Sequence, residues 1–87
     1  MTLEIITREV CPQCEHAKTL LRRYNVPFKE YVIGVDITRD QVIEDYPYLR
    51  TAPIIIKDGT PFLTYESFVM WVAHTDFSKN DQLPSET

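Results

Sequence analysis

Two cysteines separated by two residues are the part of this sequence best suited to chemistry. They lie in the segment Cys11-Pro12-Gln13-Cys14, and this spacing lets both sulfur atoms come within disulfide distance in the first turn of a helix. A thiolate can attack a disulfide, and a second thiol nearby can then resolve the mixed disulfide. The pair therefore predicts dithiol–disulfide exchange, with Cys11 as the attacking sulfur and Cys14 as the resolving sulfur.

The surroundings of the pair predict that Cys11 is the more acidic thiol. Pro12 is well tolerated in the first turn of a helix, where its missing N–H is not needed. Free backbone N–H groups and the positive end of the helix dipole favour a thiolate there, so the Cys11 pKa is expected below the roughly 8.5 of a free thiol. Arg8 adds a positive charge upstream, whereas Cys14 lies one turn into the helix and should be less exposed.

A strand before the pair and a helix after it are the elements that must position it. Leu3–Thr7 is rich in β-branched residues and predicts a short buried strand. Four apolar or aromatic residues then recur at spacings of three and four: Ala17, Leu20, Leu21 and Tyr24. They predict that one side of a helix over residues 12–24 faces the core. A second strand is expected over residues 28–33.

The middle of the chain predicts a short helix followed by a β-hairpin. Thr38 and Gln41 have the spacing of a capping box at the start of a helix. Asp58-Gly59 supplies the positive φ angles of a tight turn between two strands. We therefore expect the hairpin strands over residues 53–57 and 60–63.

The end of the chain predicts one more helix and a polar tail. Phe68 and Trp71 have the spacing of core residues on a helix over residues 66–75. Residues 76–87 are mostly polar and are expected to be poorly ordered. Strand, helix, strand, helix, hairpin and helix together predict an α/β fold with one crossover unit at its start.

Composition and charge exclude several classes of protein. The 87 residues are 44% hydrophobic and 25% charged, which is ordinary for one globular domain. Nine Lys and Arg against 13 Asp and Glu give a net charge of −4, so a nucleic-acid partner is not expected. The longest apolar run, Phe68–Ala73, is too short to span a membrane. We expect no targeting signal, and we expect the protein to be a cytoplasmic monomer. Because cytoplasmic thiols are kept reduced, a close cysteine pair is more often catalytic or metal-binding there than structural.

Two alternatives to redox chemistry stay open at this point. A structural Cys11–Cys14 disulfide would close too short a loop to constrain the chain much. A zinc site would need Cys11, Cys14, His16 and His74 as its four ligands. His16 would point away from Cys14 on the helix, and the sequence holds no second cysteine pair. We therefore expect no metal.

The motif and the elements around it resemble the glutaredoxins, small dithiol proteins of the thioredoxin fold, over residues 3–75. Cys11-Pro12-Gln13-Cys14 is similar to the family's Cys-Pro-Tyr-Cys, and Arg8 stands where a Lys or Arg commonly precedes it. Thr51-Ala52-Pro53 resembles the family's Thr-Val-Pro segment. The resemblance implies a thioredoxin-like α/β fold, with a four-stranded mixed sheet flanked by three helices, in a domain over residues 1–75.

The resemblance also implies a glutathione- and substrate-binding site around the two catalytic cysteines. The peptide bond between Ala52 and Pro53 is implied to be cis and to face the cysteines, and the backbone of Ala52 can pair with glutathione or an extended peptide. Arg50 is suited to pair with a glutathione carboxylate. The residues implied at this site are Arg8, Pro12, Gln13, Arg50, Thr51, Ala52, Pro53, Tyr65, Glu66 and Ser67.

The sequence departs from the family pattern in two places. Gln13 replaces the usual Tyr or Phe, and Gln is frequent there in redoxins that take electrons from thioredoxin reductase and serve ribonucleotide reductase. Leu63-Thr64-Tyr65-Glu66-Ser67 replaces the family's glycine pair and the residues that hold the γ-glutamyl carboxylate. Leu63 and Thr64 allow a less close backbone approach than glycine, although Tyr65–Ser67 still begin a helix whose N–H groups can bind an anion.

The expected function is that of a glutathione-dependent thiol–disulfide oxidoreductase, with glutathione as reductant and no metal cofactor. Its expected partners are glutathione and disulfide-containing proteins, of which ribonucleotide reductase is one candidate. One alternative is a glutaredoxin-like redoxin reduced by thioredoxin reductase. An alternative of another class is a non-catalytic thiol- or metal-binding module that uses Cys11 and Cys14 as ligands.

Overall fold

Residues 2–49 and 52–75 are described by the computed structural model of this chain. The predicted tail, residues 76–87, lies outside the described residues. The elements are β1 (Leu3–Thr7), α1 (Pro12–Arg23), β2 (Lys29–Val32), α2 (Arg39–Asp45), β3 (Ile54–Lys57), β4 (Thr60–Pro61) and α3 (Tyr65–His74). Within these two ranges no helix has the length and apolar character needed to cross a membrane.

The strands form one mixed sheet in the order β2-β1-β3-β4. β1 runs parallel to β2 and antiparallel to β3, and β3 runs antiparallel to β4. Ile5, at the centre of β1, lies opposite Glu30 on one side and Ile55 on the other. This four-stranded mixed sheet with three helices confirms the predicted α/β, thioredoxin-like fold.

The alternation of side chains along the strands divides the core between the two faces of the sheet. Ile5 packs with Ala17 of α1 and Phe68 of α3 on one face. Ile6, the next residue, packs with Val42 of α2 on the other face. Successive strand side chains point to opposite faces, so a short apolar strand such as β1 joins both halves of the core. Helices α1 and α3 therefore share one face, and α2 covers the other.

The prediction that Tyr24 faces the core as part of the first helix is wrong. Ala17 and Leu21 are fully buried, as their spacing predicts, but Tyr24 is 41% exposed. The reason is that α1 ends at Arg23, so Tyr24 lies at the C-cap, outside the regular helix. Asn25 then takes a φ of 58° and turns the chain away.

The second strand is shorter than the 28–33 expected from sequence. It spans Lys29–Val32, and Ile33 forms only an isolated bridge with Ile37. The strand ends because the chain folds into a turn in which the Asp36 N–H donates to the Val32 carbonyl at 2.8 Å.

The hairpin between β3 and β4 has the turn that Asp58-Gly59 predicts. Asp58 has a φ of 50° and Gly59 a φ of 85°, which is the pair of positive angles that a two-residue hairpin turn needs. The second strand is shorter than the predicted 60–63, because it contains only Thr60–Pro61 and proline offers no N–H to a strand ladder. The Phe62 N–H still donates to the Ile55 carbonyl at 2.8 Å.

Packing of α1 against the sheet predicts a large effect of one leucine. Leu21 is fully buried, so Leu21→Ala should lower the free energy of unfolding by about 2–5 kcal/mol, through lost burial and the cavity left behind. Leu63 is 67% exposed and supplies a matched control, for which Leu63→Ala should change stability by less than about 0.5 kcal/mol. Urea unfolding of both variants measures the difference, and equal losses would contradict this packing.

Candidate active site

Cys11 lies between the end of β1 and the start of α1, and its sulfur caps the helix. The backbone of Cys11 is extended, with φ −154° and ψ 92°, and Pro12 begins the helix. The Cys14 N–H donates to Cys11 Sγ at 3.1 Å. An N-cap side chain normally supplies an oxygen for this bond. Here sulfur takes that role, so the first turn of α1 directs a backbone dipole at the Cys11 sulfur.

The two sulfur atoms are joined in a disulfide across the first helical turn. The Cα atoms of Cys11 and Cys14 are 5.2 Å apart. Cys11 is 6% exposed and Cys14 is 0% exposed. The order of exposure agrees with the prediction that Cys14 is the less accessible sulfur, so an incoming molecule reaches Cys11 first.

The segment before β3 faces this disulfide. The Ala52–Pro53 peptide bond is cis, as the resemblance implied. The Ala52 carbonyl oxygen lies 3.9 Å from Cys11 Sγ. Backbone polar groups at the start of β3 therefore lie beside the sulfur, where an extended peptide can pair with them.

A cavity of about 170 Å³ is lined by Gln13, which lies between the two cysteines in the chain. Three of the predicted site residues line it, namely Gln13, Pro53 and Tyr65, together with Tyr48 and Leu63. Among the described residues, those that line this cavity include no charged side chain. Burial raises the pKa of Tyr65, so its hydroxyl stays protonated at neutral pH. The cavity therefore offers neutral hydrogen-bonding groups.

A second cavity, of about 310 Å³, is lined by both Arg8 and Ala52. Arg39, at the start of α2, also lines it. Two guanidinium groups give this cavity positive charge, so a carboxylate is the ligand it suits best. Sequence reasoning missed Arg39, because the residue follows an ordinary cap at Thr38 and only the fold brings it near Arg8.

The start of α3 places the remaining predicted residues away from both cavities. The helix spans Tyr65–His74 rather than the expected 66–75, because Thr64 caps it. The Ser67 N–H donates to Thr64 Oγ1 at 3.1 Å, and the Thr64 N–H donates to Ser67 Oγ at 3.4 Å. That N–H of Ser67 is therefore already used by the cap. Glu66 is exposed and, like Ser67, is not among the residues that line either cavity.

Three predicted binding residues remain, and the structure describes only one of them, Pro12. Pro12 is exposed at the start of α1 and lines neither of the two cavities. Arg50 and Thr51 lie outside the described residues, so their positions relative to the cysteines stay predictions.

The predicted zinc ligands do not come together in the described part of the chain. His16 and His74 are both exposed, on α1 and at the end of α3 respectively. Within residues 2–49 and 52–75, no three His, Cys, Asp or Glu side chains form a group that could hold a metal ion.

Comparison with known proteins agrees with this geometry. The sequence model of the family described as Glutaredoxin matches residues 3–62, from the first residue of β1 to the residue after β4. The match ends at Phe62, so Leu63 and Thr64 lie beyond it. No match was found among the curated proteins.

The cap on α1 predicts different acidities for the two thiols of the reduced protein. The Cys14 N–H that faces Cys11 Sγ stabilises a thiolate more than a thiol, so the Cys11 pKa should fall below about 8.5. Cys14 is fully buried and should titrate at a higher pH. Alkylation rates against pH, measured on Cys14→Ser and Cys11→Ser, give the two values. A Cys11 pKa at or above that of Cys14 would contradict the assignment.

Proposed function

The chain belongs to the glutaredoxin family, and on this premise we propose that it is a glutathione-dependent thiol–disulfide oxidoreductase that acts through Cys11 and Cys14. A thiol redox function follows from the family and from the disulfide distance between these two residues. The observation that most supports the division of roles is the cap of α1, where the Cys14 N–H lies 3.1 Å from Cys11 Sγ.

The proposed reaction starts at the more accessible sulfur. The Cys11 thiolate attacks one sulfur of a substrate disulfide, forms a mixed disulfide, and releases the other substrate sulfur as a thiolate that takes a proton from water. Cys14 then loses its proton and attacks Cys11 Sγ. The second substrate sulfur leaves as a thiolate, and Cys11 and Cys14 are then joined in the disulfide that the structure contains. The substrate gains two electrons and the protein loses two.

Glutathione is proposed to restore the dithiol, because glutaredoxins generally use it as reductant. One glutathione thiolate attacks the Cys11–Cys14 disulfide and forms a mixed disulfide with the protein. A second glutathione thiolate attacks that mixed disulfide, which releases glutathione disulfide and leaves both cysteines reduced. The Ala52 backbone beside Cys11 Sγ and the guanidinium groups of Arg8 and Arg39 are suited to the peptide backbone and a carboxylate of glutathione. Gln13 and Tyr65 offer neutral hydrogen-bonding groups on the other side.

Disulfide-containing proteins are the proposed substrates, with ribonucleotide reductase one candidate on the family resemblance. An extended segment of such a protein can pair with Ala52 in the same way as a peptide strand. We also propose that the protein works as a monomer in the cytoplasm, where a thiol carrier docks only transiently.

A second candidate electron source is favoured by the residues around the first cavity, which Gln13 lines. Leu63 and Thr64 occupy the place of the family's glycine pair and line this cavity. The exposed side chain of Leu63 reduces the close backbone approach that glycine permits. Together with Gln13, this supports reduction by thioredoxin reductase as the alternative to glutathione.

Single-cysteine variants test the roles of the two thiols. Cys14→Ser should retain activity on glutathione mixed disulfides, which needs only the attacking sulfur, and should lose most reduction of protein disulfides. Cys11→Ser should lose both activities. Steady-state assays on a glutathionylated peptide and on insulin measure these rates. Retained activity in Cys11→Ser would overturn the assignment, and a redox-inactive wild-type protein purified with bound zinc or iron would support a metal-binding module.

A coupled assay on one mixed-disulfide substrate identifies the electron source. One reaction contains glutathione, glutathione reductase and NADPH, and the other contains thioredoxin reductase and NADPH. We expect turnover in the first reaction, because the Ala52 backbone and both arginines offer groups that bind glutathione. Turnover only in the second reaction would contradict glutathione as the electron source and assign that role to thioredoxin reductase. In that case, Leu63→Gly is expected to raise the glutathione-dependent rate.

A further inference from the structure

We propose that Thr7, Lys18 and Glu30 form a brace that positions Cys14 for its attack on the mixed disulfide at Cys11. The inference rests on the proposed function, and it assigns these three side chains as positioning residues for the second step. None of them touches the reacting sulfur atoms in this assignment. Their effect comes from holding the start of α1 against the sheet.

The first part of the brace is a buried hydroxyl at the end of β1. Thr7 is 1% exposed and is the one buried polar or charged residue in the described part of the chain. Its Oγ1 donates to Glu30 Oε2 at 2.7 Å. A buried hydroxyl is stable only with a hydrogen-bond partner, so this bond fixes the last residue of β1, from which three residues lead to Cys11.

The second part is an ammonium group on α1. Lys18 Nζ donates to the same Glu30 oxygen at 2.9 Å and pairs with Glu15 at 3.0 Å. The Lys18 side chain is 12% exposed and that of Glu30 26%, so solvent screens this pair less than a surface pair. One carboxylate oxygen thus joins β1, β2 and α1.

The placement of the brace connects it to the resolving sulfur. Cys14 and Lys18 are four residues apart on α1, so they lie on the same side of the helix. Thr7 alternates with Ile5 along β1, and Glu30 is paired with Ile5 across the strands, so these side chains lie on the sheet face that α1 covers. The brace therefore lies under the first two turns of α1, on the side that carries Cys14.

The charges of the brace persist at neutral pH. The hydrogen bond from Thr7, with that from Lys18, lowers the pKa of Glu30. Hydrogen bonds to Glu30 and Glu15 raise the pKa of Lys18. Arg22 also faces Glu30 and favours its ionised form. The carboxylate and the ammonium group therefore both stay charged while the cysteines change their redox state.

The brace matters most when the disulfide is open. In the oxidised protein, the covalent bond itself holds Cys14 beside Cys11. In the mixed disulfide, Cys11 is bonded to the substrate, and Cys14 must reach its sulfur without that link. The bonds of Thr7 and Lys18 to one Glu30 oxygen then hold α1 to β1, in addition to the packing of Ile5 against Ala17. Loss of the brace should therefore slow the second step and leave the first unchanged.

The experiment separates the two steps in a single turnover. Reduced protein is mixed with hydroxyethyl disulfide, a small uncharged probe, quenched in acid at successive times and analysed by mass spectrometry for the adduct at Cys11 and for the internal disulfide. Thr7→Val and Lys18→Met should each slow resolution by about tenfold, the effect of losing a hydrogen bond to a charged group. The adduct should accumulate while the rate of its formation changes by less than about twofold.

Matched variants distinguish positioning from a general loss of structure. Lys57 pairs with Asp58 at 3.8 Å in the hairpin turn, so Lys57→Met removes an ion pair remote from the brace and should resolve the adduct at the wild-type rate. Thr7→Ser keeps the hydroxyl and should restore fast resolution. If Thr7→Val does not fold, Lys18→Met and Glu30→Gln give the same comparison.

The outcomes distinguish the brace from the proposed function. Wild-type resolution rates in folded Thr7→Val and Lys18→Met would overturn the brace while leaving the roles of the cysteines intact. Equal slowing of both steps would also overturn it, because that result indicates general loosening. Failure of the wild-type protein to form any adduct at Cys11 would instead overturn the proposed function, on which the brace depends.

Discussion

The hydrogen bond from the Cys14 N–H to Cys11 Sγ is the interaction on which the rest of this structure depends. A helix begins with backbone N–H groups that need acceptors. At the start of α1, the Cys11 sulfur is the acceptor for one of these N–H groups. The same atom therefore completes a structural element and sits in the field of the helix dipole, which favours its anionic form. Stability of the helix start and reactivity of Cys11 thus have one cause. Pro12 fits this arrangement because it gives up no hydrogen bond at the first helical position.

The sheet brings distant parts of the chain to this sulfur. β1 leads directly to Cys11, and the antiparallel pairing of β3 with β1 sets the register of Ile54 opposite Ile6. Because this register is specified by two apolar faces at once, it resists a slip by one residue, which would exchange the buried faces. The residue before β3 is therefore held beside the end of β1, and the Ala52 carbonyl comes close to Cys11 Sγ. The packing of β3 in the core therefore also positions the Ala52 backbone beside Cys11.

Local patterns predicted this fold well where neighbouring residues decide the structure. The bounds of β1, the cap at Thr38 and the turn at Asp58-Gly59 all depend on short segments, and all three agree with the structure. Sequence reasoning failed where helix and strand ends depend on the surroundings: Tyr24 lies past the end of α1, and β4 stops at Pro61. The cavities were not predicted from the sequence either. Arg39 joins Arg8 only through the crossing of α2 over the sheet, and no spacing in the sequence indicates that meeting.

The start of α3 shows how a local cap can change a binding site without changing the fold. A helix start can bind an anion when its N–H groups are free, but here the Ser67 N–H already donates to Thr64 Oγ1. The Thr64 side chain therefore stabilises α3 by accepting a bond that an anion could otherwise receive. Cys11 caps a different helix, α1, and its sulfur accepts from the Cys14 N–H, so the bonds at the start of α3 do not involve it. The cap at Cys11 and the cap at Thr64 consequently belong to different helices, so residues at one can change within this fold without altering the hydrogen bonds of the other.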